Sequence, residues 1–177
     1  MNPSEHEDDE YLEYLGSDPV RRTLDGASLG EPISLLQPAT PVCADVGTSI
    51  GDLVRLMQEH RIGCVLIVSA RKLAGIFTER DLLLKVVGTV HDLESTPVDD
   101  FMTSAPEAMR AVDTVAFALN KMSLGGFRHI PVVDDAGIPV GIVSVKDIVD
   151  YIADFFGAEV QNVPPVPELV SKTRDGA

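Results

Sequence analysis

The chain has 177 residues, with 28 Asp and Glu against 14 Lys and Arg, and a formal net charge of −14 at pH 7. That balance argues against a general nucleic-acid binder, which needs local Lys and Arg to neutralise phosphates, but it leaves room for a small anion in a local basic pocket. A hydrophobic content of 45%, no Trp and no apolar run long enough for a membrane span predict a globular chain with an aliphatic core.

In chain order, residues 1–18 concentrate Glu5, Glu7, Asp8, Asp9, Glu10, Glu13 and Asp18. They read as a solvated acidic tail, with a short partner-docking helix over 9–15 as the alternative. The first residues have neither a basic head nor an apolar run, which argues against a secretory signal and for the cytoplasm. Residues 19–33 read as an irregular lead-in containing Gly26, Gly30 and Pro32. A helix is predicted from a cap at Thr48 or Ser49 to about residue 60, with Ile50, Leu53, Val54 and Met57 on one face. Strands follow over 64–68 and 72–77. Thr78 then caps a second helix with Asp81 at its third position, and Leu82, Leu83, Val86 and Val87 supply the apolar side.

After a polar linker, a third helix starts at Asp113 or Thr114 and stops at Gly125-Gly126. Strands over 130–133 and 138–143 are joined by the turn Asp134-Asp135-Ala136-Gly137. Ser144 caps the last helix, with Ile148, Val149 and Ile152 expected to face inward. Prolines at 164, 165 and 167 and a polar end predict a flexible tail.

The chain repeats itself. Gly75-Ile76-Phe77-Thr78-Glu79-Arg80-Asp81 returns 66 residues later as Gly141-Ile142-Val143-Ser144-Val145-Lys146-Asp147. Val65-Leu66-Ile67-Val68 returns 65 residues later as Ile130-Pro131-Val132-Val133, so the second copy carries one extra residue in its hairpin. The fold class is therefore α/β (α+β), with two pseudo-symmetric β-α-β-β-α units, each too small to stand comfortably alone, packed into one module. The boundaries read as an acidic tail and lead-in over 1–32, a first unit over 33–88, a linker over 89–98, a second unit over 99–156 and a tail over 157–177.

Each repeated motif delivers a strand to a helix start, where free N–H groups attract an anion. Thr78 offers a hydroxyl, Arg80 a planar multi-donor head for phosphoryl oxygens, and Asp81 an acceptor for both hydroxyls of a ribose. The same residues also suit a plain helix cap beside a solvated arginine. Ser144, Lys146 and Asp147 keep the hydroxyl, the cation and the acceptor in the second copy, and Val145 drops the negative charge of Glu79. Cys43 and Cys64 read as reduced thiols, and His6, His60, His91 and His129 form no metal pattern. No activated nucleophile is evident, so an enzyme is not the expected reading.

Those repeated motifs, together with Arg128-His129-Ile130-Pro131-Val132-Val133-Asp134 and the opening Asp99-Asp100-Phe101-Met102-Thr103, resemble the cystathionine-beta-synthase (CBS) domain over roughly residues 33–156. The resemblance implies a free-standing tandem pair, or Bateman module, acting as a regulatory sensor. Implied ligands are adenosine compounds: AMP, ADP, ATP, NAD or S-adenosylmethionine, with AMP or ATP first. It also implies two clefts between the repeats and pairing of the modules, here into a homodimer through the helices of both repeats. In one cleft Ser144 and Asp147, with Lys146, would face Val42 and Ile62. In the other, Thr78 and Asp81, with Arg80, would face Met102, Thr103 and Phe127. Arg128 and His129 match a phosphate-reaching position for which the first copy has only Gly63 and Cys64, with His60 and Arg61 as partial stand-ins. The expectation is unequal clefts, with the Asp147 cleft binding at least as tightly. The alternative is a structural or protein-interaction module with empty clefts.

Overall fold

A computed structural model of the protein describes residues 24–156, so the acidic head with its candidate helix and the tail from residue 157 lie outside the described residues. The described chain opens on one helical turn, α1 (Gly26–Leu29), capped by the Asp25 carboxylate, and a 3-10 turn over Ile33–Leu36. From residue 24 onward the lead-in expected to be irregular is ordered, and the reason is apolar. Ile33 is fully buried among Val115, Ile130 and Val143, in the core of the second unit. Its N–H donates to the Asp113 carbonyl at 2.7 Å, and the Tyr151 hydroxyl donates to the Ser28 carbonyl at 2.8 Å.

The first unit then runs β1 (Cys43–Asp45), α2 (Ile50–His60), β2 (Cys64–Ser69), β3 (Lys72–Thr78) and α3 (Glu79–Asp81). Ser49 caps α2 by accepting the Asp52 N–H at 3.1 Å, and Ile50, Leu53 and Met57 are buried beneath it. The chain leaves α3 as a π-helical turn over Leu82–Val86, in which Val87 N–H donates to the Leu82 carbonyl at 3.0 Å. This wider turn breaks the expected apolar stripe. Val86 is buried and Leu82 partly so, whereas Leu83 and Val87 are exposed to solvent.

The second unit holds β4 (Thr103–Ser104), α4 (Val115–Gly125), β5 (His129–Val133), β6 (Pro139–Ser144) and α5 (Val145–Ala153). Thr114 caps α4, and Gly126 ends it at φ +65°, a left-handed geometry that glycine adopts without a steric cost. On α5, Ile148 and Tyr151 are buried and Ile152 partly so. Val149, expected inward, lies off that i, i+3, i+4 stripe and is exposed.

The sheet pairing shows why neither unit is independent. One sheet has the order β1-β2-β3-β4 and the other pairs β5 with β6. β4, the opening of the second unit, is therefore an edge strand on the first unit's sheet, with Gly75 opposite Ser104 and Ile76 opposite Thr103. The reciprocal contact is a bridge in which Ala39 and Ile142 exchange hydrogen bonds at 3.2 and 3.0 Å. Close approach explains both motif glycines. A β-carbon on Gly75 would sit 2.3 Å from the Met102 sulfur, and one on Gly141 would sit 2.8 Å from Pro38 Cβ. Both hairpins shift register at equivalent points, between Ile67 and Val68 and between Val132 and Val133. The residue difference between the copies is absorbed in the turns, where Ala70 and Arg71 close the first with positive φ and Gly137 helps close the second. No described helix is long and apolar enough to cross a membrane.

Because Ile33 is a core residue of the second unit rather than a lead-in residue, Ile33→Ala should destabilise the protein by about 2–5 kcal/mol in denaturant unfolding. A loss below about 0.5 kcal/mol, the usual surface value, would contradict that placement.

Candidate functional site

The exchange of opening segments creates two clefts between the repeats, and they are unequal. The larger, about 420 Å³, is lined by Thr78, Arg80 and Asp81 from the first repeat and by Thr103, Phe127, Arg128 and His129 from the second. The smaller, about 140 Å³, is lined by Val42 and Ile62 with Cys64, Leu66, His129 and Ile142. Ser144, Lys146 and Asp147 do not line the enclosed part of this second cleft.

In the larger cleft the capping box positions the acceptor. Asp81 Oδ2 accepts from the Thr78 N–H at 3.0 Å and the Thr78 hydroxyl at 2.7 Å, while Lys85 Nζ lies 2.7 Å from Oδ1. Three of roughly four acceptor positions of an ionised carboxylate are thus taken, which leaves one for a ligand hydroxyl rather than two. The backbone donors expected at the helix start are also largely engaged. Glu79 N–H donates to the Gly63 carbonyl at 3.0 Å and Asp81 N–H to Thr78 Oγ1 at 3.2 Å. Attraction for an anion therefore resides in the guanidinium groups. Arg80 reaches across the module to donate to the Gly126 carbonyl at 3.1 Å, and Arg128 is exposed at the same cavity with no described carboxylate paired to it.

Met102, expected as a wall of this cleft, instead packs against Gly75 and the core of the first repeat. The wall at that end is completed by Ala105, Pro106 and Glu107, which the sequence reading missed. A signal was available, because the 65-residue offset carries Val42 onto Glu107. Glu107 pairs with Lys121 at 3.0 Å, so its charge is partly offset.

The second capping box has the same local form, with Asp147 Oδ2 accepting from the Ser144 N–H at 2.6 Å and hydroxyl at 2.8 Å. Lys146, however, is directed outward and pairs with Asp150, which raises its ammonium pKa through that hydrogen bond. His60 and Arg61 line neither cleft; Arg61 ends α2 at φ +53° and borders a separate groove beside Leu82. The smaller cleft is consequently apolar and lacks a cation comparable to Arg128.

His129 lines both cavities. Burial first, and then the neighbouring Arg128, hold its imidazole below the ordinary histidine range, against opposing pulls from Glu79 and Asp147. Burial, with a smaller contribution from Glu79, pushes the Cys64 thiol up to about 12, and no cluster of metal-ligating side chains occurs among the described residues.

The family model described as "CBS domain" matches this chain twice, over residues 37–88 and 98–154. The mitochondrial CBS domain-containing protein CBSX3 of Arabidopsis thaliana is 32% identical over 120 residues, an alignment taking in 65% of this chain and 58% of that protein. The crystal structure of the CBS-domain containing protein ATU1752 from Agrobacterium tumefaciens superposes with a TM-score of 0.61 at 30% identity, over 67% of this chain and 97% of that one. The CBS domain pair of protein MJ0100, solved with 5-methylthioadenosine and S-adenosyl-L-methionine, gives a TM-score of 0.63 at 26% identity, over 68% of this chain and 98% of that one.

The two thiols provide a check on the geometry of the smaller cleft. Cys43 is exposed, with its thiol pKa raised by partial burial alone, and Cys64 is buried with its thiolate strongly disfavoured. Since the thiolate is the reactive form, a maleimide at neutral pH should label Cys43 in the native protein and Cys64 only after unfolding, as read by peptide mass spectrometry. Equal native labelling of both would mean the cleft is more open than described.

Proposed function

The chain belongs to the CBS domain family, and from that premise we propose that it is a regulatory module sensing an adenosine compound in the larger, Asp81 cleft. The observation that carries this reading is the pairing, in one cavity of about 420 Å³, of the Asp81 carboxylate, suited to a ribose hydroxyl, with the guanidinium groups of Arg80 and Arg128. That volume suits a small ligand, and Phe127 with Ile76 offers apolar contact for a base beside few polar groups. The two adenosine derivatives named with the MJ0100 pair support the ligand class. The guanidinium groups favour a phosphorylated member of it, with AMP or ATP ahead of NAD and S-adenosylmethionine.

Ligand in this cleft touches both repeats, as Arg80 and Gly126 already do across it. Binding therefore biases their relative packing, and signalling follows if a partner distinguishes the two arrangements. The sequence-based expectation ranked the Asp147 cleft at least equal. The charge and volume described above favour the opposite order, with the Asp81 cleft tighter.

We further propose a homodimer. Its basis differs from the sequence-based one, because Ile50, Leu53 and Met57 on α2 are consumed by the chain's own core. Surplus apolar surface lies on α4, where Phe117 is 44% and Leu124 81% exposed, and on the turn after α3, where Leu83 and Leu84 are also exposed. Light scattering at tens of micromolar should report twice the chain mass, and Leu124→Glu should shift it toward monomer; a monomeric parent protein would refute the interface.

Calorimetric titration tests the ligand reading. AMP or ATP should bind and raise the thermal midpoint, since a ligand specific to the folded state stabilises it by mass action. Asp81→Ala should weaken binding by about 2–5 kcal/mol, the usual loss for a buried charged partner, whereas Asp147→Ala should change it less than about threefold. No heat with AMP, ADP, ATP, NAD or S-adenosylmethionine would favour the interaction-module reading, and loss with Asp147→Ala alone would reverse the assignment of clefts.

A further inference from the structure

His129 opens β5 opposite Ser144, and among the described residues it supplies the only side chain lining both clefts. Its Cε1 lies 3.4 Å from the point a Gly63 β-carbon would occupy, and a Glu79 carboxylate oxygen lies 3.3 Å from that same point. The imidazole is therefore seated at the centre of the module, where a bulkier residue at position 63 would displace it. The charged groups around it are Arg128 beside it in the chain, Glu79 at the start of α3 and Asp147 in the first turn of α5. Arg80, Asp81 and Glu107 share the larger cavity with it, and Cys64 in the smaller one stays a neutral thiol.

Resting on the nucleotide reading above, we infer that anion binding in the Asp81 cleft is coupled to the protonation of His129. The imidazole takes up one proton from solvent when an anionic ligand enters, and contributes no such charge to a neutral ligand. The cause is local. A phosphate gripped by Arg80 and Arg128 shares a cavity with the imidazole and offsets Arg128, the neighbouring charge that disfavours its protonation. Burial disfavours the charged ring in the empty cleft, and an opposite charge within a few ångströms stabilises the imidazolium. The ring thus has a low pKa when the cleft is empty and a higher one when an anion is bound. The gain in affinity is complete below the empty-state pKa and disappears as pH rises through the bound-state pKa.

The experiment is calorimetry of AMP and of adenosine in buffers of different ionisation enthalpy, from about pH 6.5 to pH 8, where a phosphate with a second pKa near 6 is mostly dianionic. Wild-type protein should take up a proton with AMP, up to about one per site, and none with adenosine. The affinity for AMP should fall several-fold across this window, with a limit of about tenfold per pH unit for one proton. His129→Gln should abolish both the uptake and the pH slope. The imidazole proton resonances of the wild type, followed by NMR with AMP and without it, should place the upward titration shift on His129, which keeps the result independent of how well the variant folds. AMP binding with no proton uptake overturns this inference and leaves the nucleotide reading intact. Uptake that persists in His129→Gln, or a shift on another histidine, overturns it by assigning the proton elsewhere. Absence of binding by AMP, ADP, ATP, NAD and S-adenosylmethionine overturns both readings.

Discussion

At Gly75 and Gly141 a chain segment arriving from the other repeat occupies the space a β-carbon would need, 2.3 Å from the Met102 sulfur in one case and 2.8 Å from Pro38 Cβ in the other. This reciprocal insertion sets the rest of the structure. It places Thr103 beside Ile76 at the edge of the first sheet, brings Ala39 to Ile142 on the second, and so aligns each capping box with the opening of the opposite repeat. A side chain at Gly141 would drive against the rigid Pro38 ring, and one at Gly75 would force the Met102 side chain out of its seat between the repeats. Stability and cleft geometry therefore depend on the same two contacts.

Burial follows the same logic. The core of the second repeat includes Ile33, contributed from a position before the first repeat, while that of the first repeat is flanked by Phe101 and Met102 from the second. Each half completes the other's core, as expected for units too small to bury their sheets alone. The exchange also explains why Met102 is absent from the cleft it was expected to line. The thioether that fills the space above Gly75 is committed to the core, and the cleft wall passes to Ala105, Pro106 and Glu107.

Much of the fold was legible because the sequence repeats its local signals. Ser49, Thr78, Thr114 and Ser144 all cap helices, and in the Thr78 and Ser144 boxes the third-position aspartates close back on the cap. The illegible parts are those decided by tertiary contacts. Nothing in the run Leu82-Leu83-Leu84-Lys85-Val86 announces a π-helical turn that leaves Leu83 and Leu84 in solvent. Gly26, Gly30 and Pro32 read locally as breakers, although Ile33 beyond them is fully buried. In the site, residue types were readable and their commitments were not. The Asp81 carboxylate, which could serve two ribose hydroxyls on paper, is already engaged by Thr78 and Lys85.

The asymmetry between the clefts arises from a few substitutions within an otherwise parallel design. Gly63 and Cys64 stand where the second repeat has Arg128 and His129, and the outward Lys146–Asp150 pair contrasts with the inward Arg80–Gly126 contact. The first difference puts cationic and titratable groups around one cavity, and the second keeps a comparable cation away from the other. Gly63 has a further consequence, because its missing side chain admits the His129 ring and the Glu79 carboxylate to the centre of the module. The two repeats share one frame, and the glycine at position 63 of the first lets the ring and carboxylate of the charged cavity pack against it. A charged ligand in the larger cleft would then act on a ring that also forms part of the smaller cleft's wall, so the two cavities share a physical boundary as well as a symmetry.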